Sequence, residues 1–111
     1  YDEAILWYKK AIKEAPYLRD PYVELALLYH KLNKNNKVIY YTNKALSIKN
    51  KDMTYINEIF SWDNTIYDIR SIAFYNIGKY KASLKNINIA ISMDKTNKRL
   101  ISNKKIIERN I

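Results

Sequence analysis

The chain has 111 residues, 48% of them hydrophobic, which is enough for one domain with a real core and too few for two ordinary ones. One Gly and two Pro favour helices over a turn-rich all-β fold, and the absence of Cys excludes a disulfide framework and thiolate chemistry. The net charge of +9 marks no single basic block, since nine Lys/Arg face five Asp/Glu up to Asn50 and eleven face six beyond it.

Tyr1 to Pro16 places Ala4, Leu6, Trp7, Tyr8, Ala11 and Ile12 at helical spacing, and Pro16 stops the run. Asp20-Pro21 then suits a helix start, with Asp as N-cap and Pro in the first turn. Tyr22, Leu25, Ala26 and Tyr29 form the stripe of that helix, and Asn33–Asn36 is a turn that tolerates left-handed backbone angles. Lys37 to Lys49 reads as its partner, with Val38, Ile39, Tyr41, Ala45, Leu46 and Ile48 as the buried set.

The 53–64 stretch reads as an insert, because Ala45 and Ala90 stand 45 residues apart where Ala11 and Ala45, at matching places in their helices, stand 34 apart. Met53, Tyr55, Ile56, Ile59, Phe60 and Trp62 make it too apolar for a solvated linker, and periodicity leaves it open as one helical turn, two turns or an extended segment. Thr65-Ile-Tyr-Asp68 reads as a capping box for the next helix, which Gly78 ends. Tyr80 to Met93 is its partner, with Leu84, Ile87, Ala90 and Ile91 inward. Asp94–Asn97 makes a turn and a cap. Lys98 to Ile111 is a final helix, with Leu100, Ile101, Ile106 and Ile107 on one side and a basic opposite face.

Arg19 to Asp52 resembles a tetratricopeptide repeat: Tyr22-x-x-Leu25-Ala26-x-x-Tyr29, a polar turn, then Val38-x-x-x-Thr42-x-x-Ala45. Ala4, Ala11 and Pro16 match Val38, Ala45 and Asn50 in register. The resemblance implies an all-α fold, a right-handed α-α superhelix of antiparallel helix pairs. Its parts would be residues 1–16 as the second helix of a truncated repeat, 19–52 as a complete repeat, the 53–64 insert, 65–97 as a further repeat, and 98–111 as a capping helix. A narrower resemblance joins Ala15–Tyr22, Thr54–Glu58, Trp62 and Tyr67–Tyr80. It is similar to the helical, non-catalytic repeat tail of bacterial family 2 glycosyltransferases, and implies a parent chain of that class. The lack of an initiator Met agrees with an excerpt from a longer chain.

In repeats of this kind the first helix of each pair lines the groove. By resemblance the groove contacts are Asp20, Val23, Glu24, Leu27, His30 and Lys31, followed by Asp68, Ile72, Tyr75 and Asn76. Val23 and Leu27 stand where carboxylate-clamping repeats present Lys and Asn, which argues against that clamp. Insertions in solenoids often map to the binding face, which adds Tyr55, Glu58, Phe60 and Trp62.

Catalytic patterns do not emerge. His30 is the only His and has no Cys beside it, no Asp-x-Asp pair exists, and one Gly rules out a Gly-rich phosphate loop. Asp20 and Asp68 read as capping residues rather than as acid–base groups. The expectation is a non-catalytic module, without cofactor or metal, that contacts a protein or peptide. One alternative is a tail that organises a glycosyltransferase domain or contacts its acceptor. Another is electrostatic RNA binding through Lys98, Arg99, Lys104, Lys105 and Arg109; a solvated helix face is favoured for that run, so nucleic acid is not the expected partner. Self-association is expected through the Ala4, Tyr8 and Ala11 edge. No apolar run approaches the roughly 18 residues of a membrane span and no signal peptide is visible, so the expected compartment is the cytoplasm.

Overall fold

A computed structural model of the chain describes residues 1–49 and 59–111. Among these residues the fold is all-α: α1 Asp2–Glu14, α2 Asp20–Lys31, α3 Asn35–Ser47, α4 Thr65–Asn76, α5 Tyr80–Met93 and α6 Lys98–Glu108. Each helix packs on the next in the chain, and α2 also touches α4. A single 3₁₀ turn, Ile59–Ser61, touches both α2 and α4. The molecule measures 43 × 29 × 20 Å, about twice as long as it is thick, as stacked helix pairs produce.

Two hairpins, α2–α3 and α4–α5, follow the same register 45 positions apart, from Asp20 to Thr65 and from Asn35 to Tyr80. Their turns close in the same way. Asn33 with φ 57° and Gly78 with φ 82° occupy the position just past each helix end. The Asn33 N–H donates to His30 O and the Lys34 N–H to Tyr29 O; in the second turn Gly78 donates to Tyr75 O and Lys79 to Phe74 O. These are paired Schellman closures, which satisfy orphan carbonyls and reverse the chain within three residues. Glycine reaches this backbone region freely, and Asn is the side chain that tolerates it best.

The helix starts depart from the sequence reading. Asp20 is not the N-cap: α2 begins at Asp20 itself, Arg19 precedes it without a side-chain cap, and Pro21 sits in the first turn. The Thr65–Asp68 capping box does not form either. Asn64 holds the cap position of α4, and the Thr65 N–H is met by Asp63 Oδ1 at 2.9 Å. Asn97 does cap α6, its Oδ1 accepting from the N–H groups of Arg99 and Leu100.

Three apolar clusters hold the stack. Leu25, Ala26, Tyr29 and Val38 meet Ile69 and Ala73 across the hairpin boundary, with Ile5, Tyr8 and Ile12 of α1 packed against them. Val23, Ala45 and Ile66 form a second cluster, covered by Tyr22, Leu46 and Phe60. Ile87 and Ala90 meet Leu100 and Ile107 in a third, so α6 closes the α5 face. Each fully buried Leu, Ile or Val contributes about 1.5–3 kcal/mol.

The inward stripe of α1 is narrower than its apolar composition suggests. Ile5, Tyr8 and Ile12 face the core, whereas Leu6 and Trp7 are 68% and 67% exposed. Only Leu100 and Ile107 of α6 are buried, because Ile101 and Ile106 fall a residue to either side of its contact line.

Candidate functional site

Two grooves of about 280 Å³ collect half of the candidate contacts that lie among the described residues. The first runs between α4 and α6 and is lined by Ser71, Ile72, Tyr75, Asn103, Ile106 and Ile107. Its floor is apolar. Tyr75 and Asn103 supply polar edges, the Tyr75 hydroxyl accepting from Asn110 Nδ2 at 3.2 Å, while Ser71 Oγ turns back to donate to Asp68 O. The second groove lies between α1, α2 and the 3₁₀ turn, where Ala4 and Tyr8 meet Glu24, Leu27, Leu28, Lys31 and Phe60. The Tyr8 hydroxyl hydrogen-bonds the Glu24 carboxylate across it. Burial first, and then that carboxylate, push the Tyr8 phenol above its ordinary pKa.

The remaining candidates sit elsewhere. Val23 is fully buried in the cluster with Ala45 and Ile66, so it is core and not groove. The residue follows the α2 contact line toward α3 rather than the outer face. Asp20 is also buried. His30 is half-buried near the end of α2 and lines neither groove. Asp68 is committed to an ion pair with Arg99, both of its oxygens accepting from that guanidinium. This pair joins α4 to α6 and removes Arg99 from the basic run Lys98, Arg99, Lys104, Lys105 and Arg109. The Asn76 amide reaches Asn35 Oδ1 at 3.2 Å, tying the end of α4 to the start of α3. Tyr55 and Glu58 lie outside the described residues.

Trp62, chosen for the insert surface, instead lies against Arg19, whose guanidinium carbon is 3.7 Å from the ring centroid. Arg19 is buried and reaches further. Its Nε and Nη2 donate to Ile48 O, and its Nη1 donates to Ser61 O at 3.1 Å. One side chain thus joins the end of α3, the 3₁₀ turn and Trp62 at the foot of α2.

Arg70 plays a comparable part between the hairpins. Its Nε donates to Asn86 Oδ1 at 3.0 Å, and its Nη1 donates to Thr42 Oγ1 at 2.9 Å and Asn43 Oδ1 at 2.6 Å. It therefore spans α3, α4 and α5. Burial lowers the pKa of both guanidiniums, yet arginine remains charged at any working pH. Sequence reasoning missed both as organisers. Arginine at helical spacing looks like surface, and only the fold shows which carbonyls and amides surround it.

Among the described residues no group of three or more His, Cys, Asp or Glu is placed to hold a metal ion, and no helix is long and apolar enough to cross a membrane. Compared with known proteins, the chain matches no family model and no curated relative.

Proposed function

We propose that this chain is a non-catalytic helical-repeat module of the tetratricopeptide type that binds a protein or peptide segment through the α4–α6 groove. The observation that carries the reading is the convergence of Ile72 and Tyr75 with Asn103, Ile106 and Ile107 in one apolar depression with polar edges. Its volume of about 280 Å³ lies just below the usual range of about 300–1,000 Å³ for small-molecule pockets. That size suits one or two apolar side chains of a peptide, and the amide and hydroxyl at the rim suit its backbone. The paired hairpins support the repeat reading, since both close by the same turn and pack in succession.

The test is selection of binding peptides with the intact chain, followed by Ile72→Glu. A charge at that half-buried position should abolish capture without altering the helical circular dichroism. Capture that survives Ile72→Glu but is lost with Leu27→Glu would transfer the site to the α1–α2 groove. Capture that survives both would remove the peptide reading.

Within the same proposal the module belongs to a glycosyltransferase parent in the cytoplasm, as the likeness of Ala15–Tyr22 and Tyr67–Tyr80 implies. Deleting residues 1–111 from such a parent should leave sugar transfer intact and change the partners that it retains. Loss of transfer itself would favour a tail that organises the catalytic domain.

A further inference from the structure

A third depression, of about 300 Å³, lies between α1 and α3 and is lined by Lys9, Ile12, Tyr22, Tyr40, Tyr41 and Lys44. Three of its six lining residues are tyrosines. Tyr40 and Tyr41 meet edge to face at 4.9 Å between centroids, and Tyr41 stacks on Tyr29 at 5.6 Å, so the rings continue inward. Tyr40 is 52% exposed at the rim, which leaves ring surface open to a ligand.

The charge around these rings has one sign. Lys9 and Lys44 flank the groove from opposite helices, and neither forms an ion pair among the described residues. Lys44 lies 5.5 Å from the Tyr40 centroid. Lys37 precedes Tyr41 and Lys44 by four and seven positions, on the same helical face, and α3 contains no acidic residue. Burial holds the Tyr22 and Tyr41 phenols above their ordinary pKa, so they add no negative charge near neutral pH.

We propose that the α1–α3 groove binds single-stranded nucleic acid, with a base stacked on Tyr40 and the neighbouring phosphates met by Lys9 and Lys44. Aromatic platforms beside a positive track are the physical requirements for this ligand, because every base has a π-face and every linkage a charge. The groove volume admits a base with its sugar. A duplex keeps its bases closed within its own stack, and an acidic peptide would engage the ammoniums while leaving the rings without a flat partner. The site is separate from the α4–α6 groove, so either reading can fail alone.

Fluorescence anisotropy of a short labelled oligouridylate with the intact chain at low salt tests this. Saturable binding is expected, together with weaker binding to a duplex and to polygalacturonate. Tyr40→Ala should weaken binding about tenfold, the loss of one stacked base, whereas Tyr40→Trp should retain it. Lys9→Gln and Lys44→Gln should each reduce the salt dependence by about one phosphate contact, and Lys105→Gln on α6 should not. Irradiating the unaltered complex should place uridine crosslinks on α1 and α3. Absence of binding, equal affinity for polygalacturonate, no change with Tyr40→Ala, or crosslinks confined to α6 would each overturn the assignment.

Discussion

The two hairpins share a backbone and differ inside. At positions 45 residues apart, Leu25 corresponds to Arg70, Ala26 to Ser71, Val38 to Ser83 and Tyr41 to Asn86. The first hairpin is closed by apolar contact among Leu25, Ala26, Tyr29 and Val38. At the equivalent places the second uses hydrogen bonds: Ser83 Oγ donates to Ser71 O at 2.7 Å, and Arg70 is held by Asn86. Ala26, Val38, Ser71 and Ser83 are all buried, so the shared demand is for small or slender groups that let helices approach. Chemistry at those sites is free to vary as long as each buried polar group finds a partner.

Converting the second interior toward the first is the strongest way to break this comparison. Arg70→Leu introduces the residue of the first hairpin but leaves Asn86 and Thr42 without their guanidinium donor. It should cost about 3 kcal/mol in urea unfolding, as for loss of hydrogen bonds to a charged group. A neutral result would mean that the network contributes only packing.

Exchanges at the two turns should have smaller effects. Gly78→Ala meets nothing within 4 Å, so its cost is purely that of a left-handed backbone, about 1 kcal/mol. Asn33→Gly relieves the same strain in the first turn and should stabilise by a few tenths of a kcal/mol. Opposite signs in the thermal midpoints would confirm that the turns are equivalent, and equal signs would separate them.

The mildest expected effect is alkaline and confined to one end. Tyr8, Tyr22 and Tyr41 all have pKa values raised above 10.0 by burial, and all three lie in the first half of the chain. A raised folded-state value gives stability that is fully present below pH 10 and is lost as the pH climbs through the folded pKa. Hydrogen exchange should therefore accelerate in α1–α3 before α4–α6 in titrations above pH 10. Tyr8→Phe and Tyr41→Phe should flatten that response.

The helices were legible because their stripes and turns are local signals. Asn33–Asn36 and Gly78 mark the hairpins in the sequence; Asn33 and Gly78 are the left-handed closures, while Asn35 and Asn36 already belong to α3. The candidate site was legible only in part. Helical register brings Ile72 and Tyr75 to one face, and Leu27 and Lys31 to another, so those residues do meet in grooves. Register does not reveal how α2 is rotated about its own axis, so Val23 turned out to be core. Nor does it show long-range pairing, which is why Asp68 looked like a cap before Arg99, 31 positions later, was seen to claim it. The tyrosines of α1–α3 were hidden for a related reason: an aromatic at helical spacing resembles packing until its neighbours across the groove are known.

Arg19 and Arg70 also bear on how the molecule would respond to redesign of its charge. Both guanidiniums are anchored among carbonyls, amides and a hydroxyl, so each holds a positive charge within the architecture itself. The exposed lysines can be exchanged for glutamine one at a time, and electrophoretic mobility would follow the count. These two arginines cannot be removed on the same terms. A fully neutralised version of this fold would first have to lose the joints that fasten its helices together.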